Sequence, residues 1–466
     1  MDRRSFLKMA VVASGASVAG FYASDMLQMA TASVHSLTLR PSKNPMDTMS
    51  TDWQIPHLLR RAGFGATPDE LSFYQNLGVS GAVDRLLNFE SVDDSSLATQ
   101  PDITMTMEKK PPPGELNNLV AWWFDRIVQT PRPLEEKMTL FWHNHFATAI
   151  YKVRSPYLMF KQNQLLRTMG MGKFHDLLMG ITQDPAMLIW LDGARNRKGL
   201  PNENYAREIM EVFTFGVGNY SEDDVKAAAR ALTGYQLDSD GKSYFNPKLH
   251  DTGMKSFLGH TGNLGPEDIV NILANHPATA RRISSQLFNY LAHNDPTDEV
   301  LDNLQQVYLS SDGNIKSVVK AILNSDEFWS SNAHLNLVKG PVDFTATALH
   351  SLGTSINPKS VQYTLNMMGQ LPFNPPSVFG WPSGQAWIST STMLQRFNFP
   401  LLIDPTKASA LQDRHSVADV SGVLFPDGLP STVQQTIQDS TNSLGAVDKM
   451  RNIIRLTMAS PFYNLN

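Results

Sequence analysis

The sequence predicts a mainly α-helical protein: one large multi-helix domain carrying a small β-hairpin insertion. Three observations carry that expectation. Through most of the chain after residue 53, apolar residues recur at i, i+3 and i+4, the spacing that gathers them on one face of a helix. Helix-start signals stand ahead of such stretches, among them Ser221-Glu222-Asp223-Asp224 and Thr297-Asp298-Glu299, where a hydroxyl can accept free N–H groups and carboxylates meet the positive helix end. Only Gly234–Phe245 reads as strand, with Asp238-Ser239-Asp240-Gly241 suited to the turn of a short hairpin.

Taken in order, residues 1–32 read as a twin-arginine export signal. Arg3-Arg4-Ser5-Phe6-Leu7-Lys8 precedes a weakly apolar run from Met9 to Ala23, and Ala30-Thr31-Ala32 offers small residues for cleavage. The run is too short and glycine-rich to span a bilayer, so a periplasmic or secreted protein without a transmembrane anchor is expected. Residues 33–52 are rich in Ser, Thr and Pro and read as a linker, and a single large domain is expected over 53–466. Its first helix should begin at His57, just after Pro56. A polar break over 92–114 ends in Pro111-Pro112-Pro113-Gly114. Helices are then expected over Leu116–Gln129, Pro133–Phe146, Ser155–Met169, Glu203–Phe215, Glu222–Leu232, Pro277–His293, Asp298–Leu309 and Ile315–Leu323.

Composition narrows the chemistry. The chain holds no cysteine, which excludes disulfides, thiolate zinc sites, haem c and cysteine-ligated iron–sulfur clusters. Any cofactor metal would be a divalent ion with nitrogen and oxygen ligands. The formal net charge is −5, and the first 32 residues are slightly basic, so the body is more acidic still. That gives no electrostatic reason to expect nucleic acid as a partner. The motifs G-x-S-x-G, H-E-x-x-H and G-x-x-x-x-G-K-[ST] are absent.

Five groups of residues are candidates for chemistry. In Phe141-Trp142-His143-Asn144-His145-Phe146, two imidazoles lie two residues apart. On a continuous helix they point to nearly opposite sides, so they could share a metal only if the helix ended there. Otherwise His145 packs beside Met138, Phe141 and Trp142, and His143 bonds elsewhere. Along Asn202–Glu211, the side chains of Glu203, Arg207 and Glu211 line one face with Glu208 beside it. Such a set can move protons or simply form surface ion pairs. His250-Asp251 sits in a loop free of helical constraint. His57, Arg60 and Arg61 share a helical face able to hold an anionic group. Finally Phe379-Gly380-Trp381-Pro382 presents aromatic faces for a sugar or polymer.

Several long stretches, in this order, resemble one bacterial family, domain of unknown function 1800. They are His57–Gly65, Phe141–Phe146, Asp184–Asp192, Pro201–Gly216, Tyr220–Tyr235, His250-Asp251, His276–Ala280, Gly380-Trp381-Pro382 and Met458–Pro461. The resemblance implies a helical exported protein, often encoded beside an exported family, domain of unknown function 1501, that looks like the alkaline phosphatase–sulfatase superfamily. It implies no particular activity.

Two functions follow as expectations. One is a metal-assisted hydrolase or modifying enzyme acting on an envelope or extracellular polymer. There His143, His250 and Asp251 would hold the ion, with His145 a weaker ligand. Glu203 or Glu208 would move protons and Arg207 would hold developing negative charge, while Arg60, Arg61 and Trp381 would bind substrate. The other is a non-enzymatic envelope binding or assembly protein accompanying an exported partner, for which the domain of unknown function 1501 is the candidate. The abundance of His, Glu, Arg and Asp favours the enzyme. Either way the reading requires the Trp142 neighbourhood, the Asn202-led helix and the loop of His250 to meet around one hollow.

Overall fold

Proline and hydroxyl residues punctuate the chain into helices. Pro133, Pro156, Pro185, Pro277, Pro341 and Pro358 each open one, at the turn where the missing N–H costs nothing and the fixed φ already suits a helix. Thr67 and Ser221 close full capping boxes with Glu70 and Asp224. The computed structural model describes residues 53–97, 99–107 and 114–466. The expected export signal, the expected linker and the triple proline lie outside the described residues. Among the described residues the protein is mainly α, with twenty α-helices and two small antiparallel ribbons, and no helix is long and apolar enough to cross a membrane.

The expected helices form with small shifts at their ends. The first starts at Gln54 rather than after Pro56, because a proline in the first turn sacrifices no helical hydrogen bond. Ser155 is a cap rather than a helical residue, its Oγ accepting from Leu158 N–H. The Glu203–Glu211 helix stops four residues early, where the Thr214 hydroxyl donates to the Ile209 carbonyl and Gly216 turns left-handed at φ 85°. The expected hairpin pairs Tyr235–Leu237 with Ser243–Phe245, and Asp238 Oδ1 accepts the N–H groups of Asp240 and Lys242 at the turn. A second ribbon, Lys255–Phe257 with His260–Gly262, was not expected. Its turn is Leu258-Gly259, both left-handed, and three residues per strand are too few to show alternation.

Helices Glu115–Gln129, Pro341–Leu352 and Pro358–Met367 pack together, as do Pro277–Leu291, Asp298–Ser310 and Ile315–Leu323. Trp123 and Trp142 are fully buried. Beside them Glu136 is fully buried yet accepts from Trp123 Nε1 at 2.8 Å, Arg126 Nε at 2.5 Å and Arg167 Nε at 2.6 Å. Burial alone would raise its pKa, and the two guanidiniums outweigh that and hold it low.

A second buried carboxylate joins the two ends of the fold. Arg60 reaches Asp427 through two bonds of 2.6 and 2.9 Å, and His334 Nε2 adds a third at 2.7 Å. Burial would raise the Asp427 pKa, but Arg60 and His334 hold it well below the usual carboxylate range. A depressed folded pKa contributes stability that is full above the unfolded value and fades as pH falls towards the folded one. Asp427→Asn should therefore destabilise the protein by about 3 kcal/mol, since it strands a buried guanidinium. It should also flatten the loss of stability seen below about pH 4. Urea denaturation across pH measures both, and a variant as stable as wild type would contradict the assignment.

Candidate functional site

The helix Pro133–His145 runs unbroken through both histidines, so their rings diverge. His143 is enclosed by Trp123, Phe373 and Trp381, and its Nε2 accepts the Phe373 N–H at 2.9 Å. His145 packs on Phe141, Trp142 and Phe146, and its Nε2–H donates to the Phe213 carbonyl at 3.0 Å. Burial lowers the first to about 3 and the second to about 4. His250 Nδ1–H donates to the Thr233 carbonyl at 2.9 Å. Asp251 is held by Arg230 at 2.8 and 3.1 Å, and those bonds bring it to about 2. The four expected ligands are thus engaged separately by their own neighbours. Among the described residues no three His, Asp or Glu side chains are placed to hold one ion.

On the acidic helix the ion pairs of its plainer reading are present. Arg207 bonds Glu222 at 2.9 and 2.8 Å and lies 3.5 Å from Glu203 and 3.7 Å from Glu211. This is an ion-pair fan over partly exposed surface, with half-buried Glu208 beside it. Burial, then the nearby Glu211, raises the Glu208 pKa. Trp381 does not face outward. It is buried against His143, and its backbone N–H donates to Asn144 Oδ1 at 2.6 Å. Arg60 is consumed by Asp427.

What the fold does create is a cavity of about 370 Å³, within the roughly 300–1,000 Å³ of small-molecule sites. Of the three neighbourhoods expected to meet, that of Trp142 lines it, the Asn202-led helix reaches it only through Val212 at its end, and the loop of His250 is not among its lining residues. One wall is Lys137, Phe141, Asn144 and His145 of the Pro133–His145 helix, and the facing wall is Arg282, Gln286, Asn289 and Tyr290 of Pro277–Leu291. Both sets follow i, i+4, i+7, i+8, one face of a helix. Arg61 and Asp343 complete the interior, and Phe379 and Trp387 also line it.

Lys137 Nζ donates to Asp343 Oδ1 at 2.6 Å and lies over the rings of Phe64 and Tyr290. Burial lowers its pKa, against the opposing pull of Asp343. Arg61 is 1% exposed. Its Nη2 donates to the carbonyls of Ala292 and Ala333, while its Nε and Nη1 find no partner in the protein. Burial, with Arg60 adjacent, brings it down to about 9, so it stays cationic at neutral pH. Arg282 Nη2 makes a long bond to the Val212 carbonyl, its Nε and Asn289 Oδ1 are buried and unpartnered, and Gln286 Oε1 has no partner at hydrogen-bond distance although the Gln286 side chain acts on the His145 ring. Three cationic side chains against one carboxylate, with amides between them, equip the cavity to receive an anion.

Lys137, Asp343, Arg282, Gln286 and Asn289 escaped the sequence reading. A signal was present: Arg282, Gln286 and Asn289 form a polar stripe at helical spacing on a helix whose other face is Ile283, Leu287 and Leu291. Only the tertiary packing buries that stripe.

A helical protein built round a cationic, amide-lined cavity is the class that fold and site define. The chain belongs to the family described as protein of unknown function (DUF1800), which matches it over residues 57–465. No curated protein and no solved structure matches it.

Two outcomes test this geometry. The rings of His143 and His145 should remain neutral above about pH 5; nitrogen shifts of labelled histidine that titrate near neutrality at both positions would contradict their burial. Gly380 has φ 76°, and a Cβ there would stand 2.2 Å from Asn144 Oδ1 and 2.4 Å from its carbonyl oxygen. Gly380→Ala should cost about 2 kcal/mol in chemical denaturation, and an unchanged midpoint would remove the close approach.

Proposed function

We propose that this protein works outside the cytoplasm, exported by the twin-arginine route, and binds an anionic group of an envelope or extracellular polymer in the cavity of Arg61, Lys137 and Arg282. The observation that carries the reading is the set of buried guanidinium nitrogens, Nε and Nη1 of Arg61 and Nε of Arg282, that no protein atom satisfies. A buried donor left without an acceptor costs about 1–3 kcal/mol. A bound anion would supply acceptors to all three, and the low-dielectric interior would strengthen each bond.

Binding accounts for this arrangement better than metal-assisted hydrolysis. The histidines and aspartate considered as ligands are each satisfied singly, and neither Glu203 nor Glu208, which would move protons, is among the residues lining the cavity. The binding reading keeps the assembly role open, with an exported protein of domain of unknown function 1501 as the proposed companion and a glycan or related polymer as ligand.

Thermal denaturation with sulfate, phosphate or acetate, at ionic strength fixed with chloride, tests the reading. Saturable stabilisation is expected, about 2.7 kcal/mol at a hundredfold excess over Kd. Arg282→Gln should weaken binding about tenfold or more by removing a charge-assisted bond. Equal response of wild type and variant, or no saturable response to any anion, would refute it.

A further inference from the structure

The unpartnered atoms of the cavity are not all donors. On the Pro277–Leu291 helix, Arg282 offers a free Nε–H while Gln286 Oε1 and Asn289 Oδ1 offer free acceptors, four and seven residues further along the same face. Arg61, almost wholly buried, adds two more free donors to the same cavity. A fully ionised sulfate or phosphate only accepts, so it would satisfy the guanidiniums and leave both amide oxygens bare. A neutral sugar would serve the amides and leave buried positive charge uncompensated. The ligand must carry one anionic group and hydroxyls beside it. Turning either amide over would present an N–H donor that a bare anion also satisfies, so the sulfate control decides between the two orientations.

Charge and shape narrow the choice. Lys137 already has its carboxylate in Asp343, which leaves the two arginines as the cations in want of a partner. Arginine's planar fork matches a carboxylate through paired bonds. Phe379 lines the cavity and is 74% exposed, placing a flat apolar face where the unsubstituted side of a sugar ring can lie. About 370 Å³ admits a ring with its substituents and excludes a folded domain.

We infer that the cavity selects an acidic sugar of the hexuronic acid class, its carboxylate between Arg61 and Arg282 and its hydroxyls on Gln286 and Asn289. This rests on the anion-binding reading above and goes one step beyond it, from charge to the identity of the bound unit.

Isothermal titration of the folded, signal-free protein with methyl glucuronide and methyl galacturonide, against methyl glucoside, acetate and sulfate, tests it. At least one uronide should bind tenfold or more tighter than each control. Asn289→Ala should weaken the uronide about tenfold and leave sulfate unchanged, whereas Arg282→Gln should weaken both. Phe379→Ala, at an exposed position that does not endanger folding, should weaken the uronide several-fold and spare sulfate. Sulfate or acetate binding as tightly as every uronide would overturn the sugar assignment and leave the anion site standing. Uronide binding untouched by all three variants would place it elsewhere and overturn the assignment also. Failure of every anion to bind would remove both readings together.

Discussion

The fold depends on finding counter-charge for cations that it has taken out of water. Arg60, Arg61, Lys137, Lys339 and Arg396 are all nearly inaccessible to solvent, and an isolated charge in such surroundings is costly enough to unfold a domain. Two carboxylates answer most of this demand. Asp427 takes Arg60, while Asp343 takes Lys137 directly and eases Arg61, Lys339 and Arg396 through space. Lys339 donates to the Tyr463 carbonyl, and Arg396 donates to the Lys339 carbonyl and to Asn464 Oδ1, its Nε staying unpartnered. Because Asp427 lies 367 residues beyond Arg60, the charge on the helix Gln54–Arg61 is answered only when the last third of the chain is in place.

That arrangement produces the cavity. Asp343 cannot neutralise every cation near it, and Arg61 and Arg282 are left with donor atoms that the protein does not use. Single unpartnered nitrogens also stand in the structural network, at Arg60 Nε and Arg396 Nε, which do not line the cavity. What sets the hollow apart is that several such donors share it with amide oxygens that also lack partners, and the binding reading rests on that.

Much of the fold was legible because most helices bury one stripe and solvate the other. Pro277–Leu291 and Ile315–Leu323 show their period in the sequence and form as expected. Pro341–Leu352 did not announce itself: ten of its twelve residues are buried, so no polar face marks its period. The site was less legible for a related reason. His143 and His145 attract notice by residue type, yet both are buried with Nε2 bonded to a backbone group. Lys137 and Asp343 look unremarkable in sequence, and 206 positions separate them. No local pattern records a pairing made only by tertiary structure.

Asn144, lying between the two histidines, accepts the Trp381 N–H and packs against Gly380. The aromatic turn at the cavity is therefore fastened to the same helix that carries Lys137 and His145. An aperture riveted to its own wall does not open like a door. On the proposed reading such an aperture would act as a gauge, admitting a slim terminus or side branch of a polymer and turning away a thick, folded strand.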